Sequence, residues 1–318
     1  MVYIGIDLGG TNIAAGVVDE NCEILAKESI PTNASRPAGE IAFDMANLAR
    51  RVAQKAGVAE SDVAWIGVGV PGAIDRDAGM VMYACNLNFR KMPLADAMRR
   101  VWDIPVLLDN DANAAALGEV YAGAAKGCSD VIVVTLGTGV GGGIIIDRKI
   151  YSGFNSNGGE IGHSVIVAHG RPCGCGRRGC WEAYASVTGL ILDTKEAMKA
   201  HPESSMWQLE NGSLDDVSGK TAFIAAKAGD EVAKQVVAQY LEYVAIGVTD
   251  LVNIFEPEVI CIGGAISKEG EYLLGPVREY VDRESYTHYC ARTQLKIAAL
   301  GNDAGIIGAA MLGKSRSV

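Results

Sequence analysis

The chain has 318 residues, 49% of them hydrophobic and 21% charged, which is enough apolar material for one large core or two moderate ones and too much for a disordered chain. Its formal net charge of −10 argues against nucleic acid or an anionic membrane as partner, since both call for clustered Lys and Arg. No basic region with a long apolar core opens the sequence, and Gly, Thr, Asp, Asn or Glu interrupt its most apolar stretches, 131–146 and 244–266, so neither a signal peptide nor a membrane span is expected and the cytoplasm is the default location.

From the N-terminus, Tyr3-Ile4-Gly5-Ile6-Asp7-Leu8 reads as a strand, Gly9-Gly10-Thr11 as a tight turn, and Asn12 through Gly16-Val17-Val18-Asp19 as a returning strand. A polar turn at Asp19-Glu20-Asn21 leads into a third strand over 23–30, so the chain opens as an antiparallel meander. In Asp7-Leu8-Gly9-Gly10-Thr11 the bare backbone admits an anion closely, the Thr hydroxyl and exposed N–H groups donate to it, and the Asp suits a hydrated cation. No Lys-Ser/Thr follows and the next element is a strand, so the turn is neither a P-loop nor a dinucleotide fingerprint.

Beyond the meander the period changes: 37–56 reads as a helix, 63–70 as a buried strand ending at Pro71-Gly72, 93–101 as a helix, 106–108 as a strand and 112–125 as an Ala-rich helix. At the last strand-to-helix junction, Leu107-Leu108-Asp109-Asn110-Asp111-Ala112-Asn113 carries more polar groups than one helix cap uses. A carboxylate there can take the proton of a sugar hydroxyl that attacks a γ-phosphoryl group.

The second half echoes the first. Val131-Ile132-Val133-Val134-Thr135-Leu136-Gly137-Thr138-Gly139-Val140, continuing to Ile144-Ile145-Ile146-Asp147, repeats the strand, glycine turn and strand, with Leu136-Gly137-Thr138-Gly139 as a second anion nest. Then Glu160-Ile161-Gly162-His163 and Cys173-Gly174-Cys175-Gly176-Arg177-Arg178-Gly179-Cys180-Trp181-Glu182 gather four soft metal ligands in a glycine-rich stretch. Cys173, Cys175, Cys180 and His163 complete a tetrahedral Cys3His shell with no position open to water, the arrangement of structural zinc. Five further cysteines, Cys22, Cys85, Cys128, Cys261 and Cys290, are scattered in apolar contexts and read as buried reduced thiols. Helices follow over 220–228 and 231–253, a strand over 259–262, and helices over 269–282 and 304–312. Gly263-Gly264-Ala265 after the strand offers bare backbone to a nucleotide base or ribose. Mixed sheets flanked by helices, twice over, describe an α/β protein with two related lobes.

Together these residues resemble the ROK family (repressors, open reading frames and sugar kinases), and within it the bacterial ATP-dependent glucokinases, in order and over essentially the whole chain. The motifs that carry the resemblance are Asp7-Leu8-Gly9-Gly10-Thr11, Asn110-Asp111, Leu136-Gly137-Thr138-Gly139, Glu160-Ile161-Gly162-His163 and the cysteine segment through Glu182. The resemblance implies a two-lobed, duplicated actin-like ATPase (ribonuclease H-like) fold with a structural zinc loop. Its lobes would be 1–112 plus 302–318, and 113–301 with the zinc loop. Asp111 would be the catalytic base for the sugar 6-hydroxyl, and Asn86, Asn110, Glu160, His163 and Glu182 would bind the sugar with it. His163 would serve both zinc and sugar, one through each ring nitrogen. Asp7, Gly9, Gly10, Thr11, Asn12, Thr138 and Gly139 would hold ATP phosphates and Mg2+, and Gly263 and Gly264 the adenosine. A homodimer or homotetramer is implied as well.

Departures from the glucokinase pattern are Asn157-Gly158-Gly159-Glu160, where Gly158 replaces the Ala of the usual Ala-Gly-Glu, and the segment Phe154-Asn155-Ser156-Asn157. The resemblance therefore speaks to phosphoryl transfer more than to the hexose, and N-acetylmannosamine, N-acetylglucosamine and fructose kinases are the alternatives. A sugar-sensing repressor of the family would carry DNA-reading helices ahead of the first glycine turn, whereas Asp7 lies almost at the start here. A catalytically silent scaffold built on the cysteine loop is the remaining reading, separated from a kinase by ADP release on adding a hexose.

Overall fold

Alternating apolar residues at the N-terminus form β1 (Val2–Leu8) and β2 (Asn12–Val18), antiparallel about the glycine turn, with β3 (Ile24–Pro31) antiparallel to β2. The computed structural model describes residues 1–286 and 292–316. Ile41, Met45, Leu48 and Val52, three and four residues apart, give α1 (Ala38–Lys55) one buried stripe that packs on this meander. Next come β4 (Val63–Val70), the short antiparallel β5 (Ala73–Asp75), β6 (Met80–Ala84) and β7 (Phe89–Met92), helix α2 (Leu94–Arg99), β8 (Val106–Asn110) and α3 (Asp111–Tyr121). β4 runs parallel to β1, and β8 parallel to β4, giving a mixed sheet of order β3-β2-β1-β4-β8. The small β5–β7 sheet has no counterpart among the elements expected from the sequence, because strands this short show no period.

Helix α3 stops at Tyr121 rather than running to 125. The reason is Glu119, buried, whose Oε2 accepts from the N–H of Ala124 at 2.8 Å and of Ala299 at 3.0 Å while Oε1 accepts from Leu300 at 2.9 Å. Those bonds stabilise a loop in place of another helical turn.

The second half contains β9 (Val131–Leu136), β10 (Val140–Ile146), β11 (Lys149–Tyr151), α4 (Glu182–Ala185), α5 (Val187–Ala200), α6 (Met206–Leu209), α7 (Thr221–Lys227), α8 (Glu231–Phe255), β12 (Val259–Gly264), α9 (Glu271–Glu284), β13 (Gln294–Ile297), α10 (Ala304–Ala310) and α11 (Leu312–Arg316). Its sheet has the order β11-β10-β9-β12-β13, with β10 and β11 antiparallel and β12 and β13 parallel. An antiparallel edge followed by added parallel strands is the order of the first sheet, so the echo heard in the sequence recurs in the topology.

By internal packing the residues form two compact units, one of Met1–Val133, Gly142–Gly159 and Ala298–Val318, the other of Val134–Gly141 and Glu160–Ile297. The first unit thus keeps all of α3, beyond the division expected after 112, because α3 packs along α10. Helix α10 also lies on β1 and β4 at backbone distance: a Cβ on Gly5 would stand 1.8 Å from the Ile306 carbonyl oxygen, and one on Gly67 1.8 Å from that of Ala309. In the second unit, α8 starts at Asp230, whose Oδ1 accepts from the Ala233 N–H at 2.9 Å, and it buries Tyr240, Val244 and Val248.

Of the thiols expected to be buried, Cys22 and Cys261 are, Cys128 is half-buried and Cys85 is exposed. Cys85 opens a single 3-10 turn, 85–87, that buries only Leu87. Cys290 lies outside the described residues. Among the described residues no helix is long and apolar enough to cross a membrane.

Candidate functional site

Eight of the singled-out residues belong to the first unit: Asp7, Gly9, Gly10, Thr11, Asn12, Asn86, Asn110 and Asp111. The glycine turn is held by its own backbone, Gly9 N–H donating to Asn12 O at 2.9 Å, and by Thr32, which donates through its N–H to Thr11 O (2.8 Å) and through its hydroxyl to Gly9 O (2.6 Å). Gly10, Thr11 and Asn12 are left exposed. Asn86 comes beside this turn, since a Cβ on Gly10 would lie 3.5 Å from the Asn86 Cβ.

At the end of β8, Asn110 is the N-cap of α3, its Oδ1 accepting from Ala112 N–H at 2.9 Å and Asn113 N–H at 3.4 Å. With the cap supplied by Asn110, Asp111 is the first helical residue; its Oδ1 accepts from Ala112 N–H at 2.9 Å. Burial holds the Asp111 carboxyl above the usual carboxylate range, against the opposing pull of that backbone hydrogen bond. Burial, with the Asp111 charge as a second cause, pushes Asp7 up to about 6. Two carboxylates with raised affinity for protons therefore sit close enough in this unit to feel one another, as pairs engaged in proton transfer or cation binding do.

Beneath them lies a contribution that the sequence did not single out. Asp109 is buried, with Oδ1 accepting from Asn110 N–H at 2.8 Å and Asn113 Nδ2 at 2.9 Å, and Oδ2 standing 2.6 Å from Nη2 of the mostly buried Arg76. This ion pair braces the strand-to-helix corner that presents Asn110 and Asp111. Asp109 was visible as part of the polar cluster, whereas nothing local to Arg76 signals a partner 33 residues on.

The second unit holds Thr138, Gly139, Glu160, His163, Cys173, Cys175, Cys180, Glu182, Gly263 and Gly264. Glu160 is exposed at the start of the 3-10 turn Ile161–His163, and His163 N–H donates to Glu160 O at 3.0 Å. One donor atom from each of His163, Cys173, Cys175 and Cys180 lies within 4.8 Å of all the others. His163 Nδ1 is 3.7 Å from Cys173 Sγ, and Cys175 Sγ is 3.7 Å from Cys180 Sγ. A tetrahedral zinc with bonds of about 2.3 Å to sulfur separates its sulfur ligands by about 3.8 Å, so donor set and spacing fit that ion. Because Nδ1 is the ring atom nearest the thiols, the His163 ring keeps Nε2 for another partner. Burial, aided by the neighbouring thiols, pushes Cys173 up to about 12.

The loop is anchored at its end. Trp181 is buried with its indole N–H on Tyr243 O at 2.7 Å and its backbone N–H on Ser164 O at 2.7 Å. Glu182 follows directly, half-buried. Gly264, φ +87°, ends β12, and a Cβ there would stand 2.4 Å from the Leu136 carbonyl oxygen, which accounts for a glycine at this position by packing within the unit.

A model of the ROK family matches residues 3–316. The glucokinase of Halalkalibacterium halodurans is 38% identical over 315 residues, covering 99% of this chain and 95% of that one. A solved ROK family glucokinase from Streptomyces griseus, in complex with glucose and AMPPNP, shares 38% identity with a TM-score of 0.79 over 98% of this chain and 99% of its own. A ROK hexokinase from Thermus thermophilus shares 34% identity with a TM-score of 0.83, covering 98% and 97%.

Proposed function

The chain belongs to the ROK family, and from that premise we propose that it transfers the γ-phosphoryl group of ATP to glucose, at the 6-hydroxyl, giving glucose 6-phosphate and ADP. The observation that carries the reading is Asp111, a carboxylate of raised proton affinity at the head of α3 whose capping duty has been taken over by Asn110. In the proposed step its ionised oxygen accepts the 6-hydroxyl proton as the sugar oxygen bonds to the γ-phosphorus. The bond from that phosphorus to the bridging oxygen breaks, ADP departs with the electron pair, and Asp111 later returns the proton to solvent.

Asn86, Asn110, Glu160, His163 and Glu182 supply the sugar's remaining hydroxyls with donors and acceptors, and His163 does so through Nε2. The exposed turn at 9–12, with Thr138 and Gly139, offers N–H and hydroxyl donors to the ATP phosphates, and Gly263 and Gly264 serve the adenosine. Asp7 suits Mg2+, which when bound neutralises phosphate charge. Cys173, Cys175, Cys180 and His163 would hold a structural zinc, which fixes the loop bearing Glu160 and Glu182. The repeated strand order supports the duplicated actin-like ATPase fold for this assembly.

The named glucokinases at similar identity favour glucose over N-acetylated hexoses or fructose. A coupled ADP-release assay across glucose, mannose, fructose, N-acetylglucosamine and N-acetylmannosamine tests this. Glucose should give the highest kcat/KM; no ADP release with any of them would overturn the kinase reading.

A further inference from the structure

We propose that Glu182 and Thr188 are positioning residues that clamp the 136–140 turn to the cysteine loop, so that the state of the metal cluster governs how well the turn holds ATP. The proposal rests on the reading above that this turn receives phosphate and that the cluster takes zinc.

Each end of the turn is engaged by one short segment. Glu182 Oε2 accepts from the Val140 N–H at 3.0 Å, while its other oxygen, Oε1, lies 3.6 Å from Cys173 Sγ. Val187 N–H donates to Gly137 O at 2.8 Å, and the Thr188 hydroxyl donates to Thr138 O at 2.7 Å. The carboxylate approaches so closely that a Cβ on Gly139 would stand 2.4 Å from Oε2, so glycine is the residue that leaves it room. Trp181 just before Glu182 is buried and tied to Tyr243 and Ser164, which holds one side of the segment, and the cluster's Cys180 precedes it. Glu182 is thereby more than a sugar contact: one oxygen reaches the turn and the other a metal-ligand thiol. Cys180, another of the cluster's ligands, lies two residues before Glu182 on the chain, so emptying the cluster removes one of the holds on the backbone that brings the carboxylate to Val140. By linkage, whatever factor the metal adds to nucleotide affinity, the nucleotide adds to metal affinity.

Thr188 separates this role from the others, since it is exposed and belongs to neither the cluster nor the proposed sugar contacts. Binding of a non-hydrolysable ATP analogue and of glucose would be measured by calorimetry on zinc-loaded protein. Loss of one hydrogen bond to the turn in Thr188→Val should weaken the analogue by about three- to tenfold and leave glucose affinity unchanged, with Thr188→Ser restoring the analogue. Wild-type protein stripped of zinc should also lose analogue affinity, and Thr188→Val should cost less in stripped protein than in loaded protein, as coupled sites require. Analogue affinity unmoved by both Thr188→Val and zinc removal would overturn the clamp. Wild-type zinc-loaded protein that binds no analogue would instead overturn the phosphate reading of the turn, and the clamp with it.

Discussion

Asp7 links the site's chemistry to the stability of the fold. In the unfolded chain its carboxyl ionises near 3.8, whereas in β1 burial and the Asp111 charge raise it to about 6. Raising the pH therefore ionises the unfolded chain first, so stability present below pH 4 is lost between about pH 4 and 6 and no more is lost above that window. A gap of about two pH units amounts to about 3 kcal/mol. Asp7→Asn keeps the shape and removes the charge, so it should stabilise the protein by about 3 kcal/mol at pH 8, or roughly 5–10 °C in Tm, and by only about 1 kcal/mol at pH 4.5. The same substitution should lower turnover, because the carboxylate that suits the phosphate-bound cation is gone; stability and activity would move in opposite directions. Calorimetric unfolding of both proteins at the two pH values, without nucleotide or divalent cation, measures the effect. A Tm difference that ignores pH, or a variant less stable than wild type at pH 8, would refute the reasoning.

Asp111→Asn retains the helix start but cannot accept a proton, so kcat should fall by about 10²–10⁴ while glucose Kd stays within a few-fold; near-normal turnover would contradict the base assignment. Because burial raises the Asp111 carboxyl and only its ionised form works, kcat/KM should fall with decreasing pH on a limb above the ordinary aspartate value of about 3.9, and a pH–rate profile with that limb at or below 3.9 would count against it. Cys175→Ser should take zinc from about one per chain to near none by elemental analysis and weaken glucose binding by loosening the loop that carries Glu160 and Glu182. Full zinc content in that variant would remove Cys175 from the shell. Gly5→Ala should cost at least about 2–3 kcal/mol, since the new Cβ would meet the Ile306 carbonyl oxygen at 1.8 Å and the Ala310 nitrogen at 2.9 Å, both backbone; an unchanged Tm would mean α10 can stand off the sheet.

Long periodic segments were the legible part of the fold. The buried stripe of α1 and the apolar runs of β1, β4 and β9 declare themselves within one window of sequence. What stayed hidden depends on partners far along the chain. Helix α3 ends where Glu119 exchanges helical hydrogen bonds for the N–H groups of Ala124, Ala299 and Leu300, and no local pattern around 119 announces residue 299. The strands β5 to β7 are held by pairing with one another, and at three to five residues each they carry no period of their own.

The candidate site divides in the same way, by whether a residue's task is chemical or supportive. A carboxylate proposed to move a proton, or a thiol proposed to hold a metal, must be of one residue type at one spacing, so Asp111 and Cys173, Cys175 and Cys180 stand out even in a single sequence. Support has no such alphabet. Arg76 reaches Asp109 from the turn after β5, and Thr188 reaches Thr138 across 50 residues; either task would suit several other side chains equally. The Asn110-Asp111 pair lies between these cases. Read as sequence, both residues compete for the same helix cap; in the structure the amide takes the backbone donors and leaves the acid as the half-buried group with raised proton affinity. Exchanging their order would put the carboxylate at the cap, where accepting backbone N–H groups lowers its proton affinity and makes it a poorer base. The order Asn then Asp therefore suits the proton transfer proposed for this corner.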